Sequence, residues 1–353
     1  MDSLPVVVFC PSLGTRCGIG DFAQRFGEEV RAMDIPCTMV GGADLSWMSI
    51  IEMNKGSNFV FQHEYQFHSP TRLRMLLSYA SRFGYATVIQ HTVNPEAKVL
   101  NEIIADNADT VVLHQREAWY VYNPLGKSAE ILALSMPFDA PYTAEDLAKS
   151  DIQVQTDAAS KTIGFFGFSY PHKGLLRLLR SFSRVHEHLK HLNLLVLSSK
   201  PEQDMTGAFA QTKQVADMLG LGDSLVWIDQ YLDPIAIAKL LKACDLVMFP
   251  YTDYGGIGAS AAVRQAARAD VPILVSDSVF FADLEEYLPS KPLATEDDIA
   301  DALMDIFGES NRYADCAAGN PNCTRLAKEF SWQAYLMQVL GVASAQAGRL
   351  SVD

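Results

Sequence analysis

The chain has 353 residues, 49% hydrophobic and 20% charged, an ordinary globular composition over more length than one core usually organises, so two domains are expected. A formal charge of −14, with acidic residues in excess on both sides of Ala158, excludes a general nucleic-acid binder, which needs a basic face to displace counterions. The six cysteines form no C-x-x-C pair and are expected to be free thiols in a reducing compartment; the start Met1-Asp-Ser-Leu-Pro5 does not read as a signal peptide and no run reaches membrane-spanning length, so a cytoplasmic protein is expected.

In chain order, short apolar runs alternate with amphipathic helices, the pattern of parallel sheets covered on both faces. Val6–Cys10 reads as the first strand, Gly14 to Gly20 as its loop and Asp21 to Ala32 as the following helix. Further strands are expected at Pro36–Val40, Phe59–Gln62, Tyr85–Gln90 and Thr110–His114. Between Thr143 and Lys161 large apolar residues become scarce, which reads as a linker, and then the pattern restarts with strands at Thr162–Phe166, Leu192–Leu197, Val226–Ile228, Leu246–Phe249 and Ile273–Val275. The division expected is residues 1–157, 158–330 and a last segment 331–353. Cys316 and Cys323 flank a Gly-Asn-Pro turn without further metal ligands nearby, and His186, His188 and His191 lack the i,i+4 spacing of a helical metal pair, so no metal is expected.

The segment Thr162 to Gly174 carries the most chemistry. An apolar strand breaks into a polar loop ending Lys173-Gly174, and a leucine-rich helix begins. In an open α/β sheet such a loop lies at the carboxyl ends of the strands, where amides and a helix start favour an anion, and Lys173 adds a full charge. Taken alone, Lys173 suits a solvated surface lysine equally well. The strand Leu246–Phe249 leads into Pro250-Tyr-Thr-Asp-Tyr-Gly-Gly-Ile-Gly-Ala-Ser260, whose Gly255, Gly256 and Gly258 permit close backbone approach, and Arg264 follows one turn into the next helix. Together these make a candidate diphosphate pocket.

The order Gly167-x5-Lys173-Gly174, a leucine-rich helix, Leu240 to Tyr251, a glycine loop, Ala262-Val-Arg-Gln-Ala266 and Pro272 resembles retaining GT-B glycosyltransferases of family four, the glycosyl transferases group 1. Gly14-Thr-Arg-Cys-Gly-Ile-Gly20, Gln62-His-Glu-Tyr65 and Val88-Ile-Gln-His-Thr92 are similar to the group's glycine loop, its strand-end His-Glu motif and its second strand-end histidine. Phe330-Ser-Trp332 and the helix after it are similar to the aromatic turn and final helix that return to the first domain. The resemblance implies an α/β GT-B fold: a Rossmann-like acceptor domain and a Rossmann-like nucleotide-sugar domain facing across a cleft. It implies transfer of a hexose from a nucleoside diphosphate sugar to a glycan or lipid-linked glycan, in surface polysaccharide assembly, with no cofactor and no metal.

By resemblance, Lys173, Arg264 and His91 would serve catalysis; Gly18, Gly20, Gly167, Gly256, Ile257, Gly258, Ser260, Gln265 and Tyr231 would bind the nucleotide sugar; and His63 with Glu64 would meet the acceptor. Two departures stand out. Phe168 occupies the place of an arginine, whose charge Arg264 is expected to supply, and the E-x7-E pair is absent, its places falling near Ile257 and Gln265. A catalytically silent partner of another transferase, or a sugar-nucleotide 2-epimerase, are the alternatives. The stretch Ser69 to Phe83, with Arg72, Arg74 and Arg82 beside leucines, has the form of a basic amphipathic helix; an ordinary domain-covering helix is the simpler reading, leaving at most a weak peripheral membrane contact.

Overall fold

The computed structural model describes residues 4–42, 46–125, 129–153, 160–201, 207–309, 312 and 323–350. The chain divides into two units, residues 1–137, 255–259 and 330–353 in one, and 138–254 and 260–329 in the other.

The first unit is a parallel sheet built of β1 (Val6–Phe9), β2 (Cys37–Val40), β3 (Asn58–His63), β4 (Tyr85–Gln90), β6 (Thr110–Leu113) and β7 (Glu130–Ala133), in the order β2-β1-β3-β4-β6-β7. Every residue of β1, β3, β4 and β6 is buried, as expected of strands covered on both faces, whereas edge strand β2 alternates. Helix α1 (Gly18–Ala32) turns Phe22, Ala23, Phe26 and Val30 onto one face of the sheet. Helices α2 (Ser46–Met53), α3 (Pro70–Phe83) and α4 (Lys98–Asn107) cover the other face with Trp47, Ile51, Leu73, Leu76, Leu77 and Ile104. Helix α3 is capped by Ser69, which accepts from the Arg72 amide, with Pro70 in its first turn. Leu73, Leu76, Leu77 and Ala80 of this helix are taken up by the core, the domain-covering role.

The last helix of the chain, Trp332–Leu350, packs Trp332, Tyr335, Leu336, Val339 and Leu340 beside Phe22, Phe26 and Val30 of α1. The C-terminal segment therefore completes the first unit's core. The described residues contain no helix long and apolar enough to cross a membrane.

The second unit repeats the plan with β8 (Lys161–Phe166), β9 (Leu192–Leu197), β10 (Leu225–Ile228), β11 (Leu246–Phe249), β13 (Ile273–Ser276) and β14 (Ser290–Lys291), in the order β10-β9-β8-β11-β13-β14. Helix α7 (Leu175–His186) presents Leu175, Leu178, Leu179, Phe182 and Val185 to this sheet, beside Ile299, Leu303 and Ile306 of α11 (Glu296–Phe307). Thr295 opens α11 with a capping box closed by Asp298.

All ten strands expected from the sequence are present. Four more are not legible there: β5 (Thr92–Val93), β7, β12 (Ile257–Gly258) and β14. Three of them are two residues long and have no periodicity to read.

The units part at 137/138, not at 157/158, and the reason is local. Phe138 lies under the guanidinium of Arg264, 4.9 Å from ring centre to Cζ; Asp139 pairs with Arg268 at 3.6 Å; and Arg268 lies 3.8 Å over the ring of Tyr142. These contacts fasten the residues after Pro137 to the second unit. Cys316 and residues 154–159 lie outside the described residues, and the five described cysteines are free thiols.

One buried polar network ties the first unit's loops together. The Tyr65 hydroxyl accepts from Gln90 Nε2 (2.6 Å) and the Asn94 amide (2.8 Å) and donates to Asn101 Oδ1 (2.7 Å), while Tyr122 donates to Gln90 Oε1. Removing that hydroxyl leaves the buried Gln90 Nε2 without its partner and Asn101 Oδ1 with only the longer Tyr122 contact at 3.5 Å. The substitution Tyr65→Phe is expected to cost about 1–3 kcal/mol in chemical denaturation, and a loss under about 0.5 kcal/mol, within the usual range of surface changes, would show the network dispensable.

Candidate functional site

Ligands of open α/β sheets bind at the carboxyl ends of the strands where the strand order reverses. In the second unit that point lies between β8 and β11, and in the first between β1 and β3. The loops leaving these strands carry Gly167 to Gly174, Pro250 to Ser260, Cys10 to Cys17 and Glu64 to Ser69. The Lys173 loop, the glycine loop, the loop from Gly14 to Gly20 and the His63-Glu64 motif thus fall at the two topological switch points, while His91 stands one strand away at the end of β4.

At the β8–β11 point, Gly167 has φ 136° and Gly174 φ 78°, conformations that L side chains rarely adopt. Gly174 is further constrained, since a Cβ there would overlap the carbonyl of Pro250 at the end of β11. Its backbone thereby fixes the Lys173 loop against the glycine loop. Lys173 holds its ammonium 4.0 Å over the ring of Tyr251 and 5.8 Å from that of Phe280, and no carboxylate among the described residues pairs with it. His172 lies between the rings of Tyr170 and Tyr254. Burial, with the positive charges of Lys173 and then Arg177, lowers its pKa to about 3. Arg177 donates from Nη2 to the Pro250 carbonyl at 2.8 Å. Phe168 faces Tyr231, ring centres 6.4 Å apart and nearly parallel, and Tyr231 is 38% exposed, so an aromatic surface borders the cationic one.

The glycine loop is divided between the units. Tyr254 and Ser260 belong to the second, whereas Gly255 to Ala259 join the first, where Ile257 and Gly258 pair antiparallel with Val93 and Thr92 of β5. Gly258 is required there, because a Cβ would stand 2.6 Å from the His91 carbonyl. Gly256 is buried. Ser260 caps helix α10 (Ala261–Ala267) by accepting from the Val263 amide, and its hydroxyl meets that of Tyr251 at 3.2 Å.

Arg264 is 5% exposed, paired with the equally buried Asp283, and donates to the Ser260 carbonyl at 3.1 Å. Its charge is neutralised within the unit. Burial lowers its pKa while Asp283 opposes that shift. Gln265 donates its carboxamide to the Pro234 carbonyl at 2.8 Å, tying α10 to α9 (Pro234–Leu241).

In the first unit, Gly20 packs on the Ser12 carbonyl so closely that a Cβ would overlap it, while a Cβ on Gly18 would meet nothing within 4 Å. His91, 9% exposed, has Nε2 2.8 Å from Gln62 Oε1 and lies edge-on to Phe22. Burial, then the neighbouring His114, holds its pKa well below 6.5. His63 is buried with neither ring nitrogen hydrogen-bonded among the described residues, and burial, then His68 and His91, takes its pKa to about 3. The Glu64 carboxylate accepts from the Tyr65 amide at 3.0 Å and from Thr92, while burial raises its pKa. His63, Glu64 and His91 therefore gather at the ends of β3 and β4, with neutral imidazoles at neutral pH. Sequence reasoning missed His172, Arg177 and Asp283; the one available signal was Arg177, a cation one helical turn beyond Lys173.

Residues 160–307 match the family model of the Glycosyl transferases group 1. The chain is similar, at 13% identity and TM-score 0.67, to the Anabaena HepE protein solved with UDP and glucose, over 99% of this chain and 100% of that one. Sucrose-phosphate synthase from Thermosynechococcus elongatus aligns at 13% identity and TM-score 0.71 over 99% and 98% of the two chains. A UDP-forming α,α-trehalose-phosphate synthase from Burkholderia xenovorans, solved with glucose-6-phosphate, aligns at 11% identity and TM-score 0.68 over 95% and 99%. No curated protein matches the chain. Residues 160–307 thus carry the group 1 glycosyltransferase pattern, and the chain as a whole has the GT-B fold.

Two expected outcomes follow from the buried charges. Asp283→Ala leaves the Arg264 guanidinium facing no carboxylate at that position, and should lower stability by about 3–5 kcal/mol, read from urea midpoints. His63 and His68, with folded pKa values of about 3 and about 4 against 6.5, contribute stability that is full above pH 6.5 and lost as pH falls toward those values. The melting temperature should therefore fall between pH 6.5 and 4, and His63→Gln should flatten that slope; an unchanged slope would exclude His63 as its source.

Proposed function

We propose that the protein is a retaining, metal-independent glycosyltransferase that moves a hexose from a nucleoside diphosphate sugar to a glycan or lipid-linked glycan, in surface polysaccharide assembly. Lys173 is the observation that carries the reading: an ammonium without a carboxylate, fixed over Tyr251 at the switch point of a group 1 domain. As the sugar C1–O bond breaks, negative charge builds on the departing diphosphate, and a cation already in place stabilises it without reorganisation. The structures with UDP and with UDP-glucose bound to HepE make UDP-glucose the first donor to test.

In this reading His91, neutral at working pH, serves the donor hexose, and His63 with Glu64 meets the acceptor. Gly167, Gly256, Ile257, Gly258, Ser260 and Tyr231 shape the nucleotide-sugar site, with Gly18 and Gly20 in the loop after β1. Arg264 supports α10 from below through Asp283 rather than reaching phosphate oxygens, and Gln265 is engaged with Pro234.

That same neutralised Arg264, together with Ile257 and Gln265 in the places of two carboxylates, favours a second reading as a catalytically silent nucleotide-binding partner. One experiment separates the two. Purified protein is incubated with UDP-, GDP-, ADP- and TDP-hexoses and the released nucleoside diphosphate is measured, with and without EDTA. Turnover that survives EDTA and falls about 10²–10³-fold in Lys173→Ala supports transfer. A donor that binds and is never consumed, with or without added glycan acceptor, supports the silent partner, and a magnesium-reversible loss in EDTA overturns metal independence.

A further inference from the structure

Resting on the nucleotide-sugar reading, we propose that Arg177 is the second cation of the diphosphate site and binds phosphate oxygens together with Lys173. A nucleoside diphosphate carries more negative charge than one ammonium offsets, and Arg264 is occupied by Asp283. The second unit contains seven arginines, and six of them face a carboxylate, as Arg180 faces Glu296 and Arg268 faces Asp139. Among the described residues, Arg177 is the exception. Its one hydrogen bond within the described residues goes to the uncharged Pro250 carbonyl, and its Nε is buried without a partner.

The position of the guanidinium is set by a glycine. Its Nη2 lies 2.8 Å from where a Cβ on Gly174 would stand, so the bare backbone that lets the Lys173 loop approach Pro250 also admits Arg177 to the same place. Pro250 directly follows β11 and Gly174 ends the loop that follows β8, which puts the guanidinium at the switch point itself. The positive charges of both Lys173 and Arg177 help lower the pKa of His172. The carboxylate that Arg177 does feel, Glu296, is engaged by Arg180 at 3.1 Å. A cation left uncompensated beside a second one is costly unless an anion joins them, and a planar guanidinium suits phosphate oxygens.

The alternative is a purely mechanical role, in which Arg177 only ties Pro250 to α7. Two variants of the full chain separate charge from tether: R177K keeps the charge, and R177Q keeps a donor for the Pro250 carbonyl. Calorimetric titration with UDP, inorganic pyrophosphate and uridine reads the result. R177Q should weaken UDP and pyrophosphate about tenfold or more, about 1.4 kcal/mol, while leaving uridine unchanged, and R177K, which keeps the charge but not the planar fork, should lose less than R177Q. UDP affinity unaltered in R177Q, or equal losses for UDP and uridine, overturns the proposal. Should R177Q fail to fold, R177K decides: weaker UDP and pyrophosphate with uridine unchanged supports a guanidinium on phosphate, and no loss, or equal losses for UDP and uridine, overturns it. Wild-type protein that binds neither UDP nor pyrophosphate would instead overturn the nucleotide-sugar reading and this proposal with it.

Discussion

The approach of the Gly174 backbone to the Pro250 carbonyl is the constraint around which the candidate site is organised. Two adjacent central strands, β8 and β11, end side by side, and what leaves them must pass within contact distance. Only a residue without a Cβ and at ease with a positive φ can hold that point. Once it is held, Lys173 is placed over Tyr251, Arg177 reaches the strand end, and α7 starts in a fixed direction with its leucines on the sheet. Geometry here precedes chemistry.

Charge is distributed in two different ways within the second unit. Arg264 and Arg268 are spent on holding Asp283, Phe138, Asp139 and Tyr142, so that the chain following the first unit becomes part of the second. Lys173 and Arg177 are held by rings and a carbonyl, partners that position a cation without cancelling it. A buried ion pair is weak evidence for net stability but fixes orientation, whereas an uncancelled cation costs stability and keeps its field for a ligand. The two kinds of arginine lie a few elements apart and serve different ends.

The first unit follows the opposite electrostatic plan. Its strand ends gather His63, His68 and His91, all kept uncharged near neutral pH by burial, next to Glu64, whose carboxyl is pushed up by the same burial. Such a cluster carries polar groups with little net charge. The Tyr65 network underpins it by fixing the turn that carries β5, and β5 in turn receives the Ile257–Gly258 strand.

The sequence by itself determined the repeating α/β plan, ten of the fourteen strands among the described residues, and the loops in which Lys173, His63, Glu64 and His91 stand, while the family resemblance pointed to the return of the final helix. These were legible because buried parallel strands are continuous apolar runs and because strand-end loops are marked by glycine and polar residues at short range. Only the tertiary structure decided which cations are free to act. Arg264 and Arg177 each sit one turn into a helix after a glycine-bearing loop and read alike; Asp283, nineteen positions beyond Arg264, cancels one, and Pro250, far along the chain from Arg177, merely holds the other. The pairing of Ile257–Gly258 with Thr92–Val93 and the attachment of Phe138 to Tyr142 are likewise invisible in sequence. Each depends on groups distant along the chain, and neither a two-residue strand nor a single ion pair leaves a periodic trace.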